Sequence, residues 1–427
     1  MKKILFFKLR MFSKLVLLRC KPLVIGITGS IGKTSTKEAL SLVLSQKFRV
    51  RATYKNYNNE IGVPLTILGV NSPGKNIFGW FFVFFKAFKL IIFGDKKYPE
   101  ILILEMGIDR PGDLSYLCSL AKPKIGIVTS VSYSHIEFFG SLNEIKKEKE
   151  VLIKTLDPKG SAILNYDNKL SREMKLSSRA KVITYGTEEG ADLKAQDVNY
   201  NFDKGDYELT GINFKFNFRG SIVPVFMKNA ISPGAVYAAL AAAACGLELG
   251  LNLVDIAYSL RDFSLPRGRM NVLPGINSSF IIDDSYNSSP EACLSALDIL
   301  GSIKIEKQAK KYAVLGDMLE IGSFSEEGHR LVGEKVAEIK ADYLITIGNQ
   351  ALGISHSAHG NGLEDTKLFN FNDTKEATKF IVDRVSHGDI ILVKGSQGMR
   401  LEKIVKEIIA EKERASELLV RQGKEWA

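Results

Sequence analysis

The sequence predicts an α/β protein built on two sheets, the first mostly parallel, and three observations carry that prediction. Short apolar runs bounded by turn residues, at 23–28, 101–104 and 125–129, alternate with helix-like stretches such as 34–46. A second series of strand candidates alternating with helices, at 280–283, 312–315, 343–347 and 389–393, follows a break near Pro266. Between the two series, runs at 182–185, 207–210, 214–218 and 222–226 look more antiparallel. The division expected is a basic apolar segment at 1–22, a central unit at 23–265 and a Rossmann-like unit at 266–427. The alanine-rich stretch 235–246 reads as a close-packed core helix, and no internal repeat is visible.

The 427 residues suffice for two or three domains, and 45% hydrophobic with 25% charged residues excludes both a disordered chain and a polytopic membrane protein. Cys20, Cys118, Cys245 and Cys293 are widely spaced and show no metal or disulfide pattern, which suits a reduced cytosol. The formal charge of +10 is unevenly placed. Residues 1–22 hold seven bases and no acid, and residues 75–97 hold five lysines against Asp95, so the rest of the chain is near neutral. Both basic segments are also strongly apolar, and the second carries eight aromatics. Bases interleaved with aliphatics do not form the polar face that nucleic acid needs, so no nucleic-acid role is expected.

The strongest motif is Gly29-Ser30-Ile31-Gly32-Lys33-Thr34-Ser35, placed after a strand and before a helix. Backbone N–H groups of such a loop cradle phosphates, and the helix N-terminus adds partial positive charge. Lys33 is expected to reach the β- and γ-phosphates and Thr34 to bind Mg²⁺. The position five residues before Gly32 is Ile27, so the match is to the shorter Gly-x-x-Gly-Lys-Thr form. A P-loop also needs a metal-binding acid at a neighbouring strand end, and Glu105 fits. Taken singly, His135 is a loop histidine and Lys149 part of a charged helix.

Together with Asn56-Tyr57-Asn58-Asn59-Glu60, Leu104-Glu105-Met106-Gly107, His135-Ile136-Glu137-Phe138-Phe139-Gly140, Pro266-Arg267-Gly268-Arg269, Asp283-Asp284-Ser285-Tyr286-Asn287, Leu315-Gly316-Asp317-Met318 and Val393-Lys394-Gly395-Ser396, these residues give a chain that resembles the Mur ligase family over about 23–410. Members of that family form amide bonds at the expense of ATP in peptidoglycan synthesis. The resemblance implies a cytoplasmic ligase joining D-alanyl-D-alanine to the carboxylate of a UDP-N-acetylmuramoyl-tripeptide through an acyl phosphate. It implies that Gly29, Ser30, Gly32, Lys33, Thr34 and Ser35 hold the ATP phosphates, with Asn58 and Asn59 near the γ-phosphate. Thr34 and Glu105 would take one Mg²⁺, and Glu105, His135 and Lys149 a second. Lys149 would act as a carbamate formed with CO₂. Arg269 would reach across the cleft to ATP, Asp284 and Asn287 would close over the nucleotide, and His329 and Lys394 would lie near the incoming dipeptide.

The chain departs from the family in three places. The loop strand begins at Leu23, where a preceding domain binding the UDP part of the acceptor is usual, so that domain is expected to be absent. Ser232-Pro233-Gly234-Ala235 stands where a His-Asn pair usually precedes the alanine-rich helix. Gln397-Gly398 replaces a more basic pair. A single membrane span at 75–97 is excluded, because it would separate Lys33 from Glu105 and both must serve one ATP. Segments 1–22 and 75–97 are expected either to pack together as a hydrophobic patch or to rest on the inner face of a membrane. A family ligase for another carboxylate and amino-acid pair, and a membrane-associated nucleotide-binding scaffold without ligase activity, are the competing readings.

Overall fold

The structure is a computed structural model that describes residues 2–54, 57–133, 136–201, 211–228 and 230–423, with the side chains of Lys2 and Lys3 left out. A nine-stranded sheet has the order β2-β3-β1-β4-β5-β6-β7-β8-β9, and a six-stranded sheet the order β10-β11-β15-β12-β13-β14. The first sheet is built from β1 (Leu23–Thr28), β2 (Val50–Ala52), β3 (Ile101–Glu105), β4 (Ile125–Val128), β5 (Ser161–Asn165), β6 (Lys181–Gly186), β7 (Leu193–Asn201), β8 (Gly211–Phe218) and β9 (Ser221–Lys228). β1, β3, β4 and β5 read as unbroken apolar runs because helices cover both faces of the sheet.

One face is covered by α2 (Lys33–Leu44), α9 (Pro233–Glu248) and α10 (Leu253–Leu260), which share one core with it. Residues 238–246 of α9 are buried throughout, and small side chains let α9 lie close on α2: a Cβ at Gly246 would stand 3.2 Å from Val43. The other face carries α1 (Lys2–Cys20), α3 (Gly62–Leu68), α4 (Ile77–Phe93), α5 (Asp113–Leu120), α6 (Ile136–Phe139), α7 (Leu142–Thr155) and α8 (Lys169–Glu173).

The second sheet comprises β10 (Asn271–Pro274), β11 (Phe280–Asp284), β12 (Lys311–Gly316), β13 (Tyr343–Ile347), β14 (Leu368–Phe371) and β15 (Ile390–Lys394). Only β10 pairs antiparallel, and α11 (Pro290–Ser302) and α12 (Ser325–Glu338) lie among its crossovers. The α/β prediction, with a mostly parallel first sheet and a Rossmann-like second one, is therefore the observed architecture.

One strand differs from expectation. β6 joins the sheet in parallel to β5 and also to β7, so the antiparallel region begins only at the β7–β8 pair. Its length and composition resemble those of its neighbours, and strand direction is set by the connection through α8 rather than by the strand itself. The run expected at 207–210 lies outside the described residues.

The two basic apolar segments are helices that pack on each other. Phe12 meets Phe84 with ring centroids 5.4 Å apart, and Leu9, Val16, Val83, Ala87 and Leu90 are buried in the shared core. Among the described residues no helix is long and apolar enough to cross a membrane.

Candidate active site between the two sheets

Parallel strands deliver their C-terminal ends to one edge of a sheet, and this collects the polar groups of the site. Ile27 of β1 is level with Glu105 of β3, and Thr28 with Val128 of β4. Beyond β1 the chain turns through Gly29–Gly32 into α2. Gly29 has φ +150°, and a Cβ there would stand 1.9 Å from Thr129 Oγ1. Gly32, at φ +87°, opens α2 without a side-chain cap, so the first N–H groups of the helix stay available to an anion. The loop is stitched to the segment after β4: Ser30 N donates to Ser130 O at 2.9 Å, Ile31 N to Ser130 Oγ at 3.1 Å, and Ser30 Oγ to Ser132 O at 3.1 Å.

Lys33 Nζ folds over this loop, donating to Gly29 O at 2.6 Å and Ser30 O at 3.3 Å. Burial pushes its pKa down, against the opposing pull of Glu105, and the Arg269 charge lowers it further. Thr34 Oγ1 donates to Glu105 Oε1 at 3.4 Å and Asn58 Nδ2 to the same oxygen at 3.2 Å. The other carboxylate oxygen, Oε2, is buried without a hydrogen-bond partner. A buried anionic oxygen with free acceptor capacity beside a threonine hydroxyl is a donor set that suits a hard divalent cation.

Lys149 sits in α7 and is 2% exposed. Burial pushes its pKa well below the usual lysine range, and the Lys33 charge adds to the shift. Its amine is thereby biased towards the neutral, nucleophilic form. His135 lies outside the described residues, and among the described residues no three His, Cys, Asp or Glu side chains cluster as a metal site.

The second sheet supplies the facing wall. Asp284 and Lys394 end adjacent parallel strands in register, and Lys394 Nζ donates to Asp284 Oδ2 at 2.6 Å. The same ammonium donates to Asn287 O at 3.0 Å, while Asp284 Oδ1 accepts from Met270 N at 3.2 Å. This buried pair therefore fixes the turn that carries Arg269, whose guanidinium lies 4.3 Å over the Tyr286 ring. Between the walls lies a cleft of about 410 Å³, lined by Ser30, Gly32 and Ser35 on one side and Arg269, Asp284 and Asn287 on the other. Outside that lining, Phe324 from the second unit stacks on Tyr133, which follows β4, with centroids 4.7 Å apart.

Two residues differ in setting from their expectation. Asn59 Oδ1 accepts from Ile61 N and Gly62 N and so opens α3, leaving the neighbouring Asn58 as the one that reaches Glu105. His329 is 1% exposed; its Nδ1 donates to Ser325 O at 2.7 Å and its Nε2 accepts from Met318 N at 3.1 Å. Burial pushes its pKa down, so it braces the loop after β12 as a neutral ring. Lys394 lines the cleft while donating to Asp284 and to the Asn287 carbonyl.

Among the cleft residues that carry no assignment from the sequence are Asp167, Asn168, Tyr237 and Tyr286. Asp167 accepts from Thr187 N at 2.6 Å and from the Tyr237 hydroxyl at 2.8 Å. The signal for Asp167 and Asn168 was their place directly after the apolar run 161–165, which is strand β5.

Comparison with known proteins bears on the whole chain. Residues 27–78 and 87–245 match the family described as Mur ligase middle domain, and residues 268–397 match Mur ligase, glutamate ligase domain. A UDP-N-acetylmuramoyl-tripeptide–D-alanyl-D-alanine ligase of Bacillus subtilis is 31% identical over 386 residues, 90% of this chain and 76% of that protein. The Synechocystis protein of the same name is 32% identical over 389 residues, 91% and 75% of the two chains. Among solved structures, the MurF ligase of Thermotoga maritima in complex with ADP superposes with a TM-score of 0.76 at 26% identity, covering 96% of this chain and 84% of that one.

Proposed function

The chain belongs to the Mur ligase family, and from that premise we propose that it joins D-alanyl-D-alanine to the terminal carboxylate of a UDP-N-acetylmuramoyl-tripeptide with cleavage of ATP to ADP and phosphate. The observation that carries this reading is the convergence on one cleft of the Ser30–Gly32 loop and Arg269 of the facing wall, with Glu105, its Oε2 orphaned, held against the loop at Thr34. Relatives of which the matched region makes up 75–76% bear the name of this activity. The reaction draws on ATP in the cytoplasm, and the two units expected at 23–265 and 266–427 form the walls that enclose it.

The acceptor carboxylate attacks the γ-phosphorus, giving an acyl phosphate and ADP. The dipeptide amine then adds to the activated carbonyl, and inorganic phosphate leaves with the carboxylate oxygen. The N–H groups of residues 29–35 hold the phosphates, and Lys33 leaves its carbonyl partners to meet the β- and γ-oxygens. Thr34 and Glu105 would hold Mg²⁺, with His135 and Lys149 completing a second position; the metal supplies charge neutralisation at the transferring phosphoryl group. Ser35 and Asn59 support the loop and the start of α3. Arg269 balances negative charge from the far side while Tyr286 holds its plane. Asp284 and Asn287 close the nucleotide side, and the Phe324–Tyr133 stack excludes water that would hydrolyse the acyl phosphate.

Lys149 serves as a carbamate. Its neutral amine forms an N–C bond with CO₂ and releases a proton, converting a cation into an anionic ligand. Its depressed pKa supports this step, since only the unprotonated amine reacts. The test is phosphate release with UDP-muramoyl-tripeptide and D-alanyl-D-alanine, each omitted in turn. Release is expected only with both present. Release at the full rate without the dipeptide overturns the proposed amine substrate.

A further inference from the structure

Helix α4 is apolar on both of its faces, and only one of them is used. Val83, Ala87 and Leu90 point into the core, whereas Phe78, Phe81, Phe82, Phe85, Phe88 and Phe93 fall on the opposite arc and are between 53% and 81% exposed. Its packing partner α1 shows the same habit. Leu9, Ser13 and Val16 are buried, while Ile4, Phe7, Met11, Leu15 and Leu18 recur at steps of three and four residues as an exposed stripe. The helices run side by side from the Phe12–Phe84 contact to Arg19, which lies against Gly94 at the end of α4. A soluble monomer rarely leaves so large a contiguous apolar face in water.

The charges identify the occupant. Helical spacing puts Lys8 and Arg19 along one flank of the α1 stripe and Arg10 and Lys14 along the other. Lys89 stands within the α4 arc and Lys86 at its border, with Lys75, Lys96 and Lys97 exposed at its two ends. Against these stands the single acid Asp95. A second copy of this face would bring like charges together, whereas an anionic headgroup layer neutralises them while the phenylalanines enter the acyl boundary. Spanning is excluded: the 17 residues of α4 reach roughly 26 Å, short of the ~30 Å apolar layer, and its chain returns to β3 beside β1. Residues 1–26 and 79–86, which carry most of this face, fall outside the family match.

We propose that the exposed stripes of α1 and α4, with the bases that flank them, seat this protein on the surface of an anionic lipid bilayer. The face connects to the site through α3, which packs against α1 and begins at the Asn58–Asn59 corner beside Glu105. Seating there holds the phosphate cleft at the membrane without passing any chain through it.

The test is co-sedimentation of the full chain with phosphatidylcholine vesicles and with equimolar phosphatidylcholine–phosphatidylglycerol vesicles, at low and high salt. Binding to the anionic vesicles is expected to be about tenfold stronger and to weaken with salt. The exposed-site double variant Phe81→Glu, Phe85→Glu is expected to lose at least about tenfold of that binding, with its unfolding temperature and its turnover of soluble substrates unchanged. Retained turnover separates this outcome from failure of the ligase reading. Three results would overturn the proposal: no binding to either vesicle, binding unaffected by the double variant, or a lipid-free dimer that the variant splits.

Discussion

The loop side of the nine-stranded sheet and the α1–α4 pair both gather positive charge, yet they handle it in opposite ways. At the loop, Lys149 is buried and Lys33 half-buried, and desolvation lowers the pKa of both. Kept partly out of water in this way, the Lys33 ammonium acts at short range on whatever anion enters. On α1 and α4, Lys8, Arg19 and Lys89 are exposed, and the apolar side chains between them remain uncovered. The first arrangement selects one ligand geometry, and the second attracts an extended charged surface. Chemistry and placement are thus assigned to different parts of one structural unit, and substitutions should separate them.

The largest effect is expected at Glu105. Its orphaned oxygen has no other task, so Glu105→Gln should lower kcat by about 10³-fold while vesicle binding stays as it was. Equal loss of both would show that the two regions are not separable.

Asp283 gives the next effect, on stability. Burial raises its pKa from 3.8 to about 6, with Ser285 donating to its carboxylate and Asp284 and Glu402 repelling it. A carboxyl whose pKa is higher in the folded than in the unfolded chain favours folding fully below the unfolded value. That advantage is lost as pH rises through the folded value. Wild type should therefore lose about 2 kcal/mol relative to Asp283→Asn between pH 4 and pH 6.5, read from denaturant unfolding. A flat difference would show that Asp283 is not desolvated.

The smallest effect is expected at Tyr286. Removing the ring under Arg269 with Tyr286→Ala should raise KM for ATP about tenfold and change kcat less, because the guanidinium loses its guide but not its charge. Tyr286→Phe should restore most of the loss.

Much of this was legible in the sequence, for physical reasons. The unbroken apolar runs of β1, β3 and β4 could be strands covered on both faces, and their ends named Lys33, Thr34 and Glu105. Other features need three dimensions. Asn58 and Asn59 are identical neighbours, and only the backbone decides which caps α3 and which meets Glu105. Lys394 became a partner of Asp284 through strand register across 110 residues. Helix α4 is apolar on both faces, and only Lys86 and Lys89 mark its outer side, so hydrophobic periodicity alone does not separate the two faces. The basic segments pack together, and their outer faces stay exposed.

The most direct test of the ligase mechanism follows one oxygen atom. An acceptor whose terminal carboxylate carries oxygen-18 is incubated with ATP and D-alanyl-D-alanine, and the phosphate released is analysed by mass. An acyl phosphate formed at the Lys33–Glu105 site predicts one labelled oxygen in each phosphate. Unlabelled phosphate accompanied by amide product would contradict it.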